Sequence, residues 1–204
     1  MSIIAVGTIF PKLLACDIVP HMVTILDPNP ITIKQLEGVE NQHIPLFLGI
    51  TAYWKLARIY KGEKYLVPTD GDMLEEKYYK NLCGGIAMDC PGTVTMLAVR
   101  LALYFGAKKI YLLGTDFAFP KEKDYADGAI GGGWLSNKKG LFFVESVGGG
   151  SVYTNKHMVM FREYMEELIE NTPDVTFYNL SKGARIAGTI EIGGFMQNEE
   201  TQER

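Results

Sequence analysis

CPGTVTMLAVRLALYFGAKKIYLLGTDFAFP, Cys90 to Pro120, decides the fold. A Pro-Gly-Thr turn opens it. Val94, Leu97, Ala98, Leu101, Ala102 and Phe105 then recur at helical spacing and predict one apolar face. Gly106 suits the position just past a helix C-terminus, with Lys108 and Lys109 beyond it. The run Lys109 to Leu113 predicts a buried strand, and Gly114-Thr115-Asp116 forms its polar exit. A helix feeding a buried strand is half of a parallel α/β unit. Such units bind ligands at strand C-termini and helix N-termini.

Upstream, the same alternation is read four more times. Ile3 to Val6, Met22 to Leu26, Ile44 to Leu48 and Tyr65 to Val67 predict strands. Phe10 to Cys16, Ile31 to Leu36, Ala52 to Tyr60 (capped by Thr51) and Met73 to Tyr79 predict helices or helical turns. Asp27-Pro28-Asn29-Pro30 stops the second strand, because two prolines in three residues end any ladder.

Downstream, Phe117 to Gly150 carries two Gly-Gly-Gly runs together with Lys121, Lys123, Lys138 and Lys139. So long a stretch of weak periodicity reads as a functional lid. Within it Leu141 to Glu145 and Ser151 to Tyr153 predict a hairpin across glycines. Asn155 to Glu170 predicts a long helix with Met158, Phe161, Met165, Leu168 and Ile169 inward. Val175 to Tyr178 predicts a strand, and Ile186 to Ile192 an extended segment or final strand.

Strands separated by helices imply an α/β, Rossmann-like three-layer sandwich with a mostly parallel central sheet and a glycine-rich lid. The expected organisation is one domain over residues 1–192 and a polar tail over 193–204. A chain of 204 residues, 47% hydrophobic and 22% charged, is long enough for a well-buried core. Its net charge of −4 argues against a nucleic-acid polymer as partner. No apolar run approaches a membrane span, and no secretory signal is evident. Three cysteines without CxxC spacing fit a reducing compartment, so a cytoplasmic location and no metal site are expected.

Chemistry concentrates at a few places. Gly92-Thr93 precedes a helix, where free N–H groups suit a phosphate; the same pair is also an ordinary turn and cap. Gly85 reads either as part of that mouth or as a flexible loop. Gly114, Thr115 and Asp116 offer a carboxylate at a strand end for ribose, metal or proton transfer, or an Asx turn. Asp27 and Asn29 occupy the equivalent place on an earlier strand and read equally well as a turn. Tyr153-Thr154-Asn155-Lys156-His157 gathers five polar side chains at a helix start. Ser181 to Ala184 reads weakly as a phosphate-touching loop. Walker A, GxGxxG, GxSxG and HExxH motifs are absent.

Taken in order, VTILDPNP, CPGTVTMLAVRLALYFGAKKIYLLGTDFAF, GGGSVYTNKHMVMFREYMEELI and NLSKGARIAGT resemble the central domain of the motility accessory factor (Maf) proteins. The resemblance implies a sialyltransferase-like glycosyltransferase that moves a nonulosonic acid from a CMP-sugar to a protein hydroxyl, as on flagellin. It implies no required cofactor beyond that nucleotide-sugar donor, and it leaves a homo-oligomer open. By motif, Asp27, Asn29, Gly85, Gly92, Thr93, Gly114, Thr115 and Asn155 would bind the nucleotide, with Asp116, Tyr153 and Thr154 catalytic. The same broad family includes pyrophosphokinases that use ATP and Mg2+ on a hydroxymethyl-dihydropterin, which is the alternative. Family members carry a strand and a Gly-Pro-Ser-Leu-like turn before the region matching Ile3. This sequence lacks that match, and is expected to be a shortened member or a non-catalytic binding module.

Overall fold

The structure is a computed structural model, and it describes residues 1–70, 74–82, 87–120 and 139–192. Two compact units divide the described chain, one within Met1–Gly106 and one from Ala107 onward. Both are α/β with parallel sheets, as the strand–helix alternation predicts.

The first unit holds β1 (Ile4–Val6), β2 (Met22–Ile25), β3 (Leu46–Gly49) and β4 (Lys64–Val67) in sequence order, all parallel. Alternation sends Ala5, Val23, Ile25, Leu46 and Leu48 to one face. There they pack with Phe10 of α1 (Phe10–Ala15), Leu36 of a 3-10 segment (Pro30–Leu36), and Leu56 and Tyr60. Each of the Val, Ile, Leu and Phe side chains among them contributes about 1.5–3 kcal/mol on burial. Buried Tyr60 also needs a partner for its hydroxyl, which donates to the Ile44 carbonyl. On the opposite face α4 (Val94–Tyr104) packs against β1 and β2.

Three local expectations change. The helix predicted over 52–60 is only α2 (Lys55–Ile59). Residues 51–53 fold back on β2 instead: Thr51 donates to the Leu26 carbonyl and Tyr53 N–H to that of Asp27. Thr51 therefore lies four residues ahead of the helix, whose N-cap is Trp54, and does not cap it. The inward face of α4 is Met96, Leu97, Ala98, Val99 and Leu101, while Phe105 is exposed and meets Phe47 edge-on. The helix is apolar nearly all round, so periodicity alone could not choose its face. α3 (Leu74–Leu82) runs three residues past the expected end.

The second unit holds β5 (Lys109–Leu112), β8 (Thr176–Asn179) and β9 (Ile190–Glu191), parallel and in that order. β6 (Phe142–Glu145) and β7 (Ser151–Thr154) form the predicted antiparallel hairpin. Its turn needs glycine, because Gly148, Gly149 and Gly150 all have φ between 75° and 94°. The hairpin is fastened to residues 183–191: Val147 N–H donates to Gly183, Arg185 N–H to Glu145, and Gly148 N–H to the Glu191 carboxylate. α5 (Lys156–Glu170) buries Met165, Leu168 and Ile169, and Asn155 caps it by accepting from Met158 N–H at 2.9 Å. The final extended segment is shorter than expected. Residues 186–189 turn, with Thr189 N–H on the Ile186 carbonyl, before the two-residue β9.

Candidate functional site

The second unit concentrates polar groups beyond the C-terminal ends of β5 and β8. Gly114 leaves β5 at φ 68°, and Phe117 sits at φ 45°. A bulky, buried residue in the left-handed region costs about 1–2 kcal/mol, and such strain gathers at functional sites. Between the two lie buried Thr115 and part-buried Asp116.

Asp116 is gripped by the loop that leaves β8. Its Oδ1 accepts from Lys182 N–H at 3.2 Å and its carbonyl from Ala184 N–H at 2.7 Å. Gly183 lies against the Asp116 backbone so closely that a Cβ there would overlap it. Burial raises the Asp116 carboxyl pKa; hydrogen bonds from the Lys182 and Gly183 N–H groups oppose that. The net effect is a more basic carboxylate, suited to accepting a proton or a hydroxyl.

Asn179, fully buried at the end of β8, supports the loop. Its Oδ1 accepts from Ser181 N–H at 2.9 Å and Ser181 Oγ at 2.6 Å. The Ser181 N–H donor fixes which amide atom is oxygen. Its Nδ2 is buried with no partner among the described residues.

From the hairpin side, Thr154 is completely buried and donates to the Phe117 carbonyl at 2.9 Å. Phe119 N–H donates to the Tyr153 carbonyl at 2.8 Å, and Tyr153 stacks on Phe143. Thus Gly114, Thr115, Asp116, Thr154 and the 179–184 loop form one connected group. Asn155 adjoins it as the cap of α5.

In the first unit the predicted residues close turns. Asp27 accepts from Asn29 N–H at 2.7 Å, and Asn29 from Ile31 N–H at 3.1 Å. Both side chains are exposed at the end of β2. Gly92 has φ 73°, and Thr93 caps α4 by accepting from Thr95 N–H at 3.0 Å. With the Met96 N–H on the Thr93 carbonyl at 3.1 Å, two of the first-turn N–H groups of α4 are already used within the turn. No hydrogen bond joins the Asp27 turn to Gly92-Thr93 among the described residues. Gly85, the Gly131-Gly132-Gly133 run, Lys121, Lys123, Lys138 and the tail over 193–204 lie outside the described residues.

Sequence reasoning missed the left-handed Phe117 and the need for glycine at 183. Neither has a local signature. Phe117 carries no glycine or asparagine to announce positive φ, and Gly183 is required by a residue far away in the chain.

Among solved structures, the chain resembles the Maf glycosyltransferase from Magnetospirillum magneticum AMB-1, with a TM-score of 0.73 and 22% identity. The likeness covers 94% of this chain and 29% of that one. At that identity it establishes a shared fold, the one the ordered motifs imply. This chain spans under a third of the length of that glycosyltransferase. No curated protein matches the chain. The family model described as 6-hydroxymethylpterin diphosphokinase MptE-like matches residues 1–122, more than half of the sequence, and the chain belongs to that family.

Proposed function

We propose that the chain is a sialyltransferase-like transferase domain, moving a nonulosonic acid from CMP to a protein hydroxyl such as one on flagellin. The observation that supports this reading is the extent of the Maf likeness. It covers 94% of the chain, whereas the family match ends at residue 122. A shared fold does not fix chemistry, so the reading also leans on Asp116. In such a transfer the bond from the anomeric carbon to the phosphate oxygen breaks. The acceptor oxygen bonds to that carbon, and its proton must leave. Asp116, made more basic by burial and held at a strand exit where carboxylates hold ribose hydroxyls, is suited to hold the CMP ribose and to take that proton. Holding the acceptor in line with the donor would supply much of the acceleration.

A second reading is favoured by the family match itself. A diphosphokinase would move diphosphate from ATP to the hydroxymethyl group of a pterin. No cluster of three or more His, Cys, Asp or Glu stands ready for a metal among the described residues. Magnesium arriving on ATP phosphates needs only one or two carboxylates, so this reading stays in play.

A thermal-shift panel of CMP, CDP, UDP, GDP and ATP, with and without Mg2+, separates the two, since native-state binding raises apparent stability. Stabilisation by CMP without Mg2+ is expected. A response to ATP with Mg2+ and none to CMP would replace the first reading with the second.

A further inference from the structure

We propose that Thr154 is a positioning residue for Asp116, its hydroxyl holding Phe117 in the left-handed conformation that sets the carboxylate in place. The inference rests on Asp116 being the group that meets the ligand. Thr154 has no exposed surface, and its proton is committed to the Phe117 carbonyl at 2.9 Å. It is built to hold a turn, not to touch a substrate.

A left-handed residue is held through the two peptide planes that flank it, the preceding one turning with φ and the following one with ψ. The following plane carries the Phe117 carbonyl, and Thr154 occupies it. The preceding plane carries the Asp116 carbonyl, and Ala184 N–H occupies that one at 2.7 Å. Two residues beyond Phe117, Phe119 N–H is tied to the Tyr153 carbonyl at 2.8 Å. The Phe117 ring is buried and cannot swing out to release the turn. Two elements distant in sequence, the second hairpin strand and the 181–184 loop, therefore close on Asp116 from either side. Removing the hydroxyl leaves the turn held at the Asp116 carbonyl alone, and the loosened turn weakens the seat of the Asp116 carboxylate against the Lys182 amide.

Thr154→Val keeps the shape and the strand preference and deletes only the donor; Thr154→Ser keeps the donor. Both are made in the full chain. NMR hydrogen exchange follows the Lys182 and Ala184 amides against those of β8. The Asp116 carboxyl carbon shift and CMP binding by calorimetry complete the measurement. In T154V the Lys182 and Ala184 amides should exchange about tenfold faster while β8 amides hold. The Asp116 signal should move, and CMP should bind about tenfold more weakly. T154S should match the unsubstituted protein in all three. Unmoved Lys182 and Ala184 exchange in T154V, or acceleration only in step with β8, would overturn the proposal. So would a turn loosened in T154S, and that arm decides the matter should T154V not fold. The reading of Asp116 fails separately: Asp116→Asn binding CMP as tightly as the unsubstituted protein would sink it while leaving the exchange result standing.

Discussion

Gly183→Ala should be among the most damaging single-methyl changes in the second unit. Gly183 is not in the left-handed region, so its own backbone would accept alanine. The obstacle is the Asp116 backbone, which the new Cβ would overlap. Backbone cannot rotate away as a side chain can, so the loop must retreat by roughly 1 Å to restore normal contact. Retreat breaks the Lys182 and Ala184 hydrogen bonds to Asp116, each worth about 1 kcal/mol net. Overpacking adds about 1–3 kcal/mol. Alanine returns up to about 1 kcal/mol by restricting the unfolded chain. The balance is a loss of about 2–5 kcal/mol, large against a typical total of about 5–15. Urea unfolding followed by circular dichroism measures it. Gly106→Ala is the control: Gly106 has φ 81° with open space around it, so only conformational strain of about 1 kcal/mol applies. A Gly183→Ala loss below about 1 kcal/mol, or below that of Gly106→Ala, would refute the close approach of the 181–184 loop to Asp116.

Two further outcomes follow from the titrating groups. The Asp116 carboxyl pKa is raised in the fold, so its contribution to stability is full below the unfolded value near ~3.9 and is lost as pH rises through the folded value. Asp116→Asn should therefore gain on the unsubstituted protein as pH climbs from acid to neutral; a flat or opposite trend in unfolding free energy would contradict the assignment. Burial pushes the Cys90 thiol up to about 12, while Cys16 is exposed. Peptide mapping after alkylation at pH 8 should find Cys16 labelled in the native protein and Cys90 labelled only once it unfolds.

Much of this fold was readable because its signals are local. The cap at Thr93, the apolar helix, the Gly106 stop and the strand after it each depend on neighbours within a few residues. The hairpin was announced by its glycines, and the long helix by its stripe ending in Leu168 and Ile169. What escaped depends on distance. Thr51 has the residue type and local spacing of a cap, but its bond to the Leu26 carbonyl, 25 residues earlier, ties residue 51 to β2 and the helix starts only at Lys55. Asp27 and Asn29 read equally as turn or ligand, and the structure shows them closing their own turn. At the Asp116 site the strand exit was legible. The grip of Lys182, 66 residues away, and of Thr154 was not, because no pattern in one segment records which segment will pack on it.

The claim that everything else depends on is that Asp116 belongs to a site for a CMP-linked ligand. Isothermal titration of CMP into the folded chain and into Asp116→Ala tests it most directly. Saturable CMP binding to the unsubstituted protein, and a loss of at least about tenfold in affinity in the variant, are the expected results. No heat of binding from a demonstrably folded chain, or equal affinity in Asp116→Ala, would contradict it.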